Sequence, residues 1–228
     1  EHHPAPATAA GQPKVADPPA TDPIAAAREW LPTILAVPLG EYVSETNPVL
    51  KLWHACDAVE LTLRFAVTAG LAEMASRGPL DQGLLAELRP RIEEPTLGKW
   101  RGMAHAVVRH LPAERPLLPE LRSLVEDVIV ALLDGDGERR TAESSLSTLR
   151  NQLAHGGGVT RALAARLLAG WHSRLERFVE SLAWTASFDL VVRTPDGALG
   201  VLRGPAARPY HPAPSLATRL EATSRSGD

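Results

Sequence analysis

VLKLWHACDAVELTLRFAVTAGLAEMASR, residues Val49 to Arg77, decides the fold. Asn47-Pro48 just before it is a start signal, an Asn cap followed by proline at the first helical position. Leu52, Val59, Leu63, Ala66, Val67 and Leu71 then recur at threes and fours, with few polar residues between them. Gly78-Pro79 stops the run. The spacing predicts one long helix that other helices must cover, the spine of a helical core.

Working outward, Asp22-Pro23 opens a short helix expected to reach about Val37. After the spine, helices are predicted over Asp81–Arg89, Thr96–Leu111 and Pro119–Leu133, the last with Leu121, Leu124, Val125, Val128, Ile129 and Leu132 on one face and Gly135 as its stop. Glu138–His155 reads as the next helix. Thr160 caps a long final one to about Ala186, with Leu163, Leu167, Leu168, Trp171, Leu175, Phe178 and Leu182 facing in. Phe188–Arg193, Thr-Pro-Asp-Gly and Ala198–Arg203 form a hairpin signal. A lone hairpin is marginal, so it must pack on the helices or pair with a neighbouring domain. The expected fold is all-α, a helical bundle over 22–187 with a β-hairpin appendage at 188–203. Residues 1–21, with five prolines among Ala, Thr and Gly, read as a disordered linker, and 204–228 as a Pro-rich tail. The chain starts with Glu rather than Met, so other domains of the same parent chain are expected partners.

Composition narrows the function. Of 228 residues, 44% are hydrophobic, enough for a core, but only 4% are aromatic, so Leu, Ala and Val must fill it. The net charge of −3 gives no global attraction for nucleic acid, and any such contact must be local. Cys56 is the sole cysteine, which excludes an intrachain disulfide and suggests a reducing cytoplasm. No apolar run reaches the length of a membrane span.

The chemistry concentrates in Leu149-Arg-Asn-Gln-Leu-Ala-His155-Gly156, where Arg150, Asn151 and His155 form R-N-x-x-x-H at a helix end before three glycines. With 24 Lys and Arg, three of them Lys, and 8 His, an Arg five residues before a His is expected about 0.7 times by chance. The chain has only Asn47 and Asn151, and requiring Asn after the Arg lowers that to about 0.006. Asn151 and His155, four apart, share a helix face, with Arg150 and Gln152 on either side of Asn151. Leu149 and Leu153 anchor the segment to the core. A guanidinium can hold a phosphate and stabilise its growing charge, and a His can move a proton near neutral pH. The same residues would also make an ordinary helix end, with basic side chains and Gly at the C-terminus.

Arg150, Asn151 and His155 resemble the R-x(4–6)-H motif of the HEPN (higher eukaryote and prokaryote nucleotide-binding) family, which often carries Asn after the Arg. The long helices on both sides also suit its all-helical bundle, and the resemblance covers roughly 47–186. It implies metal-independent RNA cleavage by 2′-OH attack, giving a 2′,3′-cyclic phosphate, with RNA as substrate and no metal or other cofactor. It also implies a homodimer formed through the motif-bearing face, and service in bacterial defence or toxin systems. Family members often add an acidic or polar residue from a neighbouring long helix, a place that Asp57 or Glu60 would fill as partner to His155. Some members do not cleave, so the alternative is a non-catalytic dimerisation or signalling module. The hairpin lies outside the family's core pattern.

Other clusters read as structural. His54, Asp57 and Glu60, at i, i+3 and i+6, drift too far round a helix to converge on a metal. His105 and His110 give no metal site either. Lys99, Arg101, Arg109 and Arg115 around Trp100 are a weak candidate patch for RNA, with a solvated helix face as the plainer reading.

Overall fold

A computed structural model describes residues 22–114, 116–135, 140–155, 158–193 and 197–209. The fold is mostly helical, with a small antiparallel sheet near the C-terminus. The expected spine is α3 (Pro48–Ala75), capped by the Asn47 side chain, which accepts from Val49 N–H. It is buried on several sides because α2 (Thr33–Ser44), α5 (Leu97–His110), α8 (Leu146–Ala154) and α9 (Arg161–Glu180) all pack on it. At Gly70, α5 leaves no room for a side chain. A methyl group there would sit 2.3 Å from Val107 Cγ1 on α5. Trp171, Leu175 and Phe178 of α9 are fully buried, each contributing about 1.5–3 kcal/mol of apolar transfer.

α4 (Gln82–Ile92) begins at Asp81, whose carboxylate accepts from Leu84 N–H. The expected helix after Pro119 is one rod in three pieces: α6 (Glu120–Ser123), a π-helical stretch (Leu124–Ile129) and α7 (Val130–Asp134). It ends at Gly135, whose φ of 76° and whose closeness to the Ser144 carbonyl exclude a side chain. The loop before this rod is held by a residue the sequence did not single out. Glu73 is buried in α3 and accepts from the Leu117 and Leu118 N–H groups at 2.7 and 3.2 Å.

Four expectations need correction. The first helix is two: α1 (Pro23–Ala27) ends, the chain turns at Pro32, and α2 runs on through Pro38 to Ser44. Leu35, Ala36, Leu39 and Tyr42 are buried on this helix, and their packing outweighs the roughly 3 kcal/mol cost of an interior proline. The helix expected from Glu138 starts only at Leu146, after a turn over 140–145. Residues 136–139 lie outside the described residues. The last helix ends at Glu180, and a short 3₁₀ turn (Ala183–Ser187) follows, where Trp184 packs between Phe65 and Phe188.

The hairpin, finally, is a three-stranded sheet: β1 (Val191–Arg193), β2 (Leu199–Arg203) and β3 (Ala206–Pro209), in that order. β3 comes from residues expected in the tail; the rest of that tail, 210–228, and the N-terminal 1–21 lie outside the described residues. The sheet does pack on the helices. Gly204 N–H donates to the Leu31 carbonyl at 2.8 Å, and Arg203 Nη1 donates to the Trp30 carbonyl at 2.9 Å. No helix among the described residues is long and apolar enough to cross a membrane.

Candidate functional site

α8 carries the R-N-x-x-x-H residues up to its C-cap His155, and four hydrogen bonds fix where it starts. Ser145 caps it, accepting from Thr148 N–H at 3.2 Å while its Oγ donates to the Leu133 carbonyl at 2.7 Å. The turn before it is tied to α9, because Trp171 Nε1 donates to the Ala142 carbonyl and Arg174 Nη1 to the Ser144 carbonyl. Leu146 and Leu149 are then buried, and Leu153 packs against the same core. This apolar stripe turns Arg150 toward α3 and leaves Asn151, Gln152 and His155 exposed.

Arg150 meets a carboxylate. Its Nη2 lies 3.6 Å from Oε2 of Glu60, a side chain that is only 12% exposed. The other oxygen of Glu60 accepts from Arg64 Nη2. Arg64 in turn lies over the Trp100 ring, 5.2 Å from its centroid. One buried carboxylate thus stands between two guanidiniums. At 3.6 Å the Arg150 contact is an ion pair that orients the guanidinium; its five donors leave capacity for a phosphate.

Asp57 lies one turn before Glu60, beside the same groove of about 260 Å³ that Glu60, Glu41 and Arg64 line. Protein atoms crowding its carboxyl, then the Glu60 and Glu41 carboxylates, push its pKa up, against the pull of His54 and Arg150. Cys56 beside it is buried, and its thiol is pushed up to about 12, chiefly by that burial.

His155 closes α8. Its backbone has left helical geometry (φ −97°, ψ 14°), and its N–H donates to the Asn151 carbonyl. Among the described residues, the side chains of Asn151, Gln152 and His155 make no hydrogen bond or ion pair, so the imidazole is exposed and available. Gly156 and Gly157 lie outside the described residues; Gly158 adopts φ 68°.

Two expectations change here. The expected partnership of Asp57 or Glu60 with His155 is not seen: Glu60 pairs with Arg150, because α8 packs on α3 with Leu149 buried, and His155 is the exposed C-cap residue without a hydrogen bond or ion pair to either carboxylate. The basic patch is dispersed among carboxylates: Lys99 pairs with Glu94 at 3.3 Å, Arg101 grips Asp134 with both Nη atoms, and Arg109 pairs with Glu87. Arg115 lies outside the described residues. Arg64 was missed, although its i, i+4 spacing from Glu60 was a readable signal. Among the described residues no group of three or more His, Cys, Asp or Glu could hold a metal ion.

Comparison of the chain with family models, with curated proteins and with solved structures finds no match.

Proposed function

We propose that this chain is a HEPN-type endoribonuclease module that cleaves RNA without a metal. The observation that carries the reading is that Arg150 is held by Glu60 while His155, five residues on at the end of α8, is exposed and without a side-chain partner. Glu60, on the long neighbouring helix, orients Arg150 instead of partnering His155, and the imidazole stays accessible to a substrate.

In this reading Arg150, oriented by Glu60 and Arg64, holds the scissile phosphate. The ribose 2′-oxygen attacks phosphorus as its proton leaves, and the bond to the 5′-oxygen breaks as that oxygen gains a proton. The products are a 2′,3′-cyclic phosphate and a 5′-hydroxyl. His155 makes one of the two proton transfers and Asn151 orients it or the phosphate. One His serves poorly as both acid and base, so a homodimer that brings two copies to one cleft completes the site. A cytoplasmic setting suits the single buried, reduced Cys56. A role in bacterial defence rests on the resemblance alone.

The second reading is a non-catalytic dimerisation or signalling module. Its support is that Arg150 also ties α8 to α3 through Glu60, a sufficient structural reason for that residue. One experiment separates the two. Labelled RNA is incubated in EDTA with the parent, Arg150→Ala and His155→Ala. Cleavage by the parent to cyclic-phosphate ends, reduced roughly 10²–10⁴-fold in the His variant, supports the nuclease. An RNA carrying 2′-deoxyribose at the cut site should resist. No cleavage by the parent, or equal cleavage by folded variants, overturns it.

A further inference from the structure

We propose that β1 pairs edge to edge with β1 of a second copy of this chain, joining two three-stranded sheets into one. The geometry of this edge is self-complementary. Leu202 N–H donates to the Leu190 carbonyl, so Leu190 and Leu202 form a bonded pair across β1 and β2. Hydrogen-bonded and non-bonded pairs alternate along an antiparallel ladder. Val192 opposite Gly200 is therefore the next bonded pair, while Val191 opposite Val201 and Arg193 opposite Leu199 are not. The backbone N–H and C=O of Val191 and Arg193 thus point away from β2, to the free edge.

An antiparallel partner centred on Val191 places Val191 against Val191 of the second copy. Two residues to either side, Asp189 meets Arg193 of the second copy and Arg193 meets its Asp189. Alternate residues share a face, so the charges and the central valines lie on one side of the joined sheet. Opposite charges directly across a strand pair stabilise it, and β-branched pairs do the same. The sequence Asp189-Leu-Val-Val-Arg193 is thus complementary to itself when reversed.

The surroundings fit this occupant. Val191 and Val192 are both 38% exposed, and among the described residues no strand pairs with the outer side of β1. Natural edges are blunted by proline, by charged side chains and by short strands, and a charge on an edge repels a second copy unless the opposite charge meets it. The far strand β3 ends in Pro209, whereas β1 has no proline and ends in Arg193, with the opposite charge of Asp189 two residues before the strand begins. Beside β1, Phe188 and Leu190 line an apolar cleft of about 480 Å³, which extends the unpartnered surface toward α3. Asp189 already accepts from Arg203 Nη2 at 3.0 Å but remains 48% exposed, leaving lone pairs for a second guanidinium.

The test is charge reversal read by sedimentation equilibrium. The parent's mass should rise with concentration. Arg193→Asp sets Asp against Asp at both flanks, and Asp189→Arg sets Arg against Arg. Each alone should lower the associated mass by about half. Mixed one to one, the two variants restore both opposite-charge pairs and should recover the parent's mass. Circular dichroism of each variant reports folding, and Arg193→Asp, on an exposed strand, decides the matter if Asp189→Arg disturbs Arg203. A parent whose mass is independent of concentration, an unchanged Arg193→Asp protein, or a mixture that fails to recover each overturns the proposal. Association through the motif-bearing face would persist in Arg193→Asp, so a loss of mass in that variant that mixing restores belongs to the sheet contact, and RNA cleavage is scored separately.

Discussion

Replacing Ser145 by Ala tests how α8, and with it Arg150, is held in place. The Ser145 hydroxyl is fully buried between the end of α7 and the start of α8. It donates to the Leu133 carbonyl at 2.7 Å and accepts from the Thr148 backbone and hydroxyl at 3.2 and 3.1 Å. Loss of an N-cap costs about 1 kcal/mol. The Leu133 carbonyl, stripped of this donor inside the protein, adds about 1–2 kcal/mol. The sum, roughly 2–3 kcal/mol, is large for one hydroxyl. With a urea slope of about 2–3 kcal/mol per molar, the unfolding midpoint should fall by about 1 M. Urea titration followed by circular dichroism and by tryptophan fluorescence measures it. Amide exchange should also quicken in the first turn of α8, where the Thr148 N–H loses its acceptor. A midpoint within about 0.2 M of the parent's would refute the reasoning, because α8 would then owe its position to leucine packing alone.

Other outcomes follow from single sites. Gly70→Ala should destabilise by about 1–3 kcal/mol despite the better helix former, since Val107 Cγ1, 2.3 Å from the new methyl, is stiff and cannot swing away; thermal unfolding measures the loss. Asp57→Asn should raise the melting temperature at neutral pH. The fold raises this carboxyl above its ordinary 3.8, so the parent loses stability as pH climbs from 3.8 through the raised value. The Asn variant escapes that loss, and the difference between the two should vanish in more acidic solution. The Cys56 thiol, pushed up to about 12 and buried, should resist a disulfide reagent at pH 8 and react fully once the chain is unfolded.

The parts of this fold written into short stretches of sequence were readable, and the parts made by tertiary contact were not. α3 announced both its ends through Asn47-Pro48 and Gly78-Pro79, and α9 through Thr160. The start of α8 was misplaced because nothing in Glu138–Ser144 breaks a helix, and the residue that sets the boundary, Ser145, works through Leu133 twelve positions away. β3, Ala-Ala-Arg-Pro, has no strand character of its own and exists through pairing with β2. At the site, Arg150 and His155 stood out only because Asn151, one of two Asn in the chain, directly follows the Arg. Choosing Glu60 over Asp57 needed the rotation of α8 against α3, which no spacing within one helix encodes.

The seam between Arg203 and Trp30 spans 173 positions of chain. Closing so long a loop has a high entropic cost, so this contact is expected to form after the local helical pairs have condensed. During synthesis the corner at Leu31 and Pro32 waits for Gly204 before its carbonyl finds a donor. A nascent chain stalled short of that residue therefore holds a nearly finished bundle with one raw seam, the natural landing place for a chaperone and the first point at which the folded molecule should unzip.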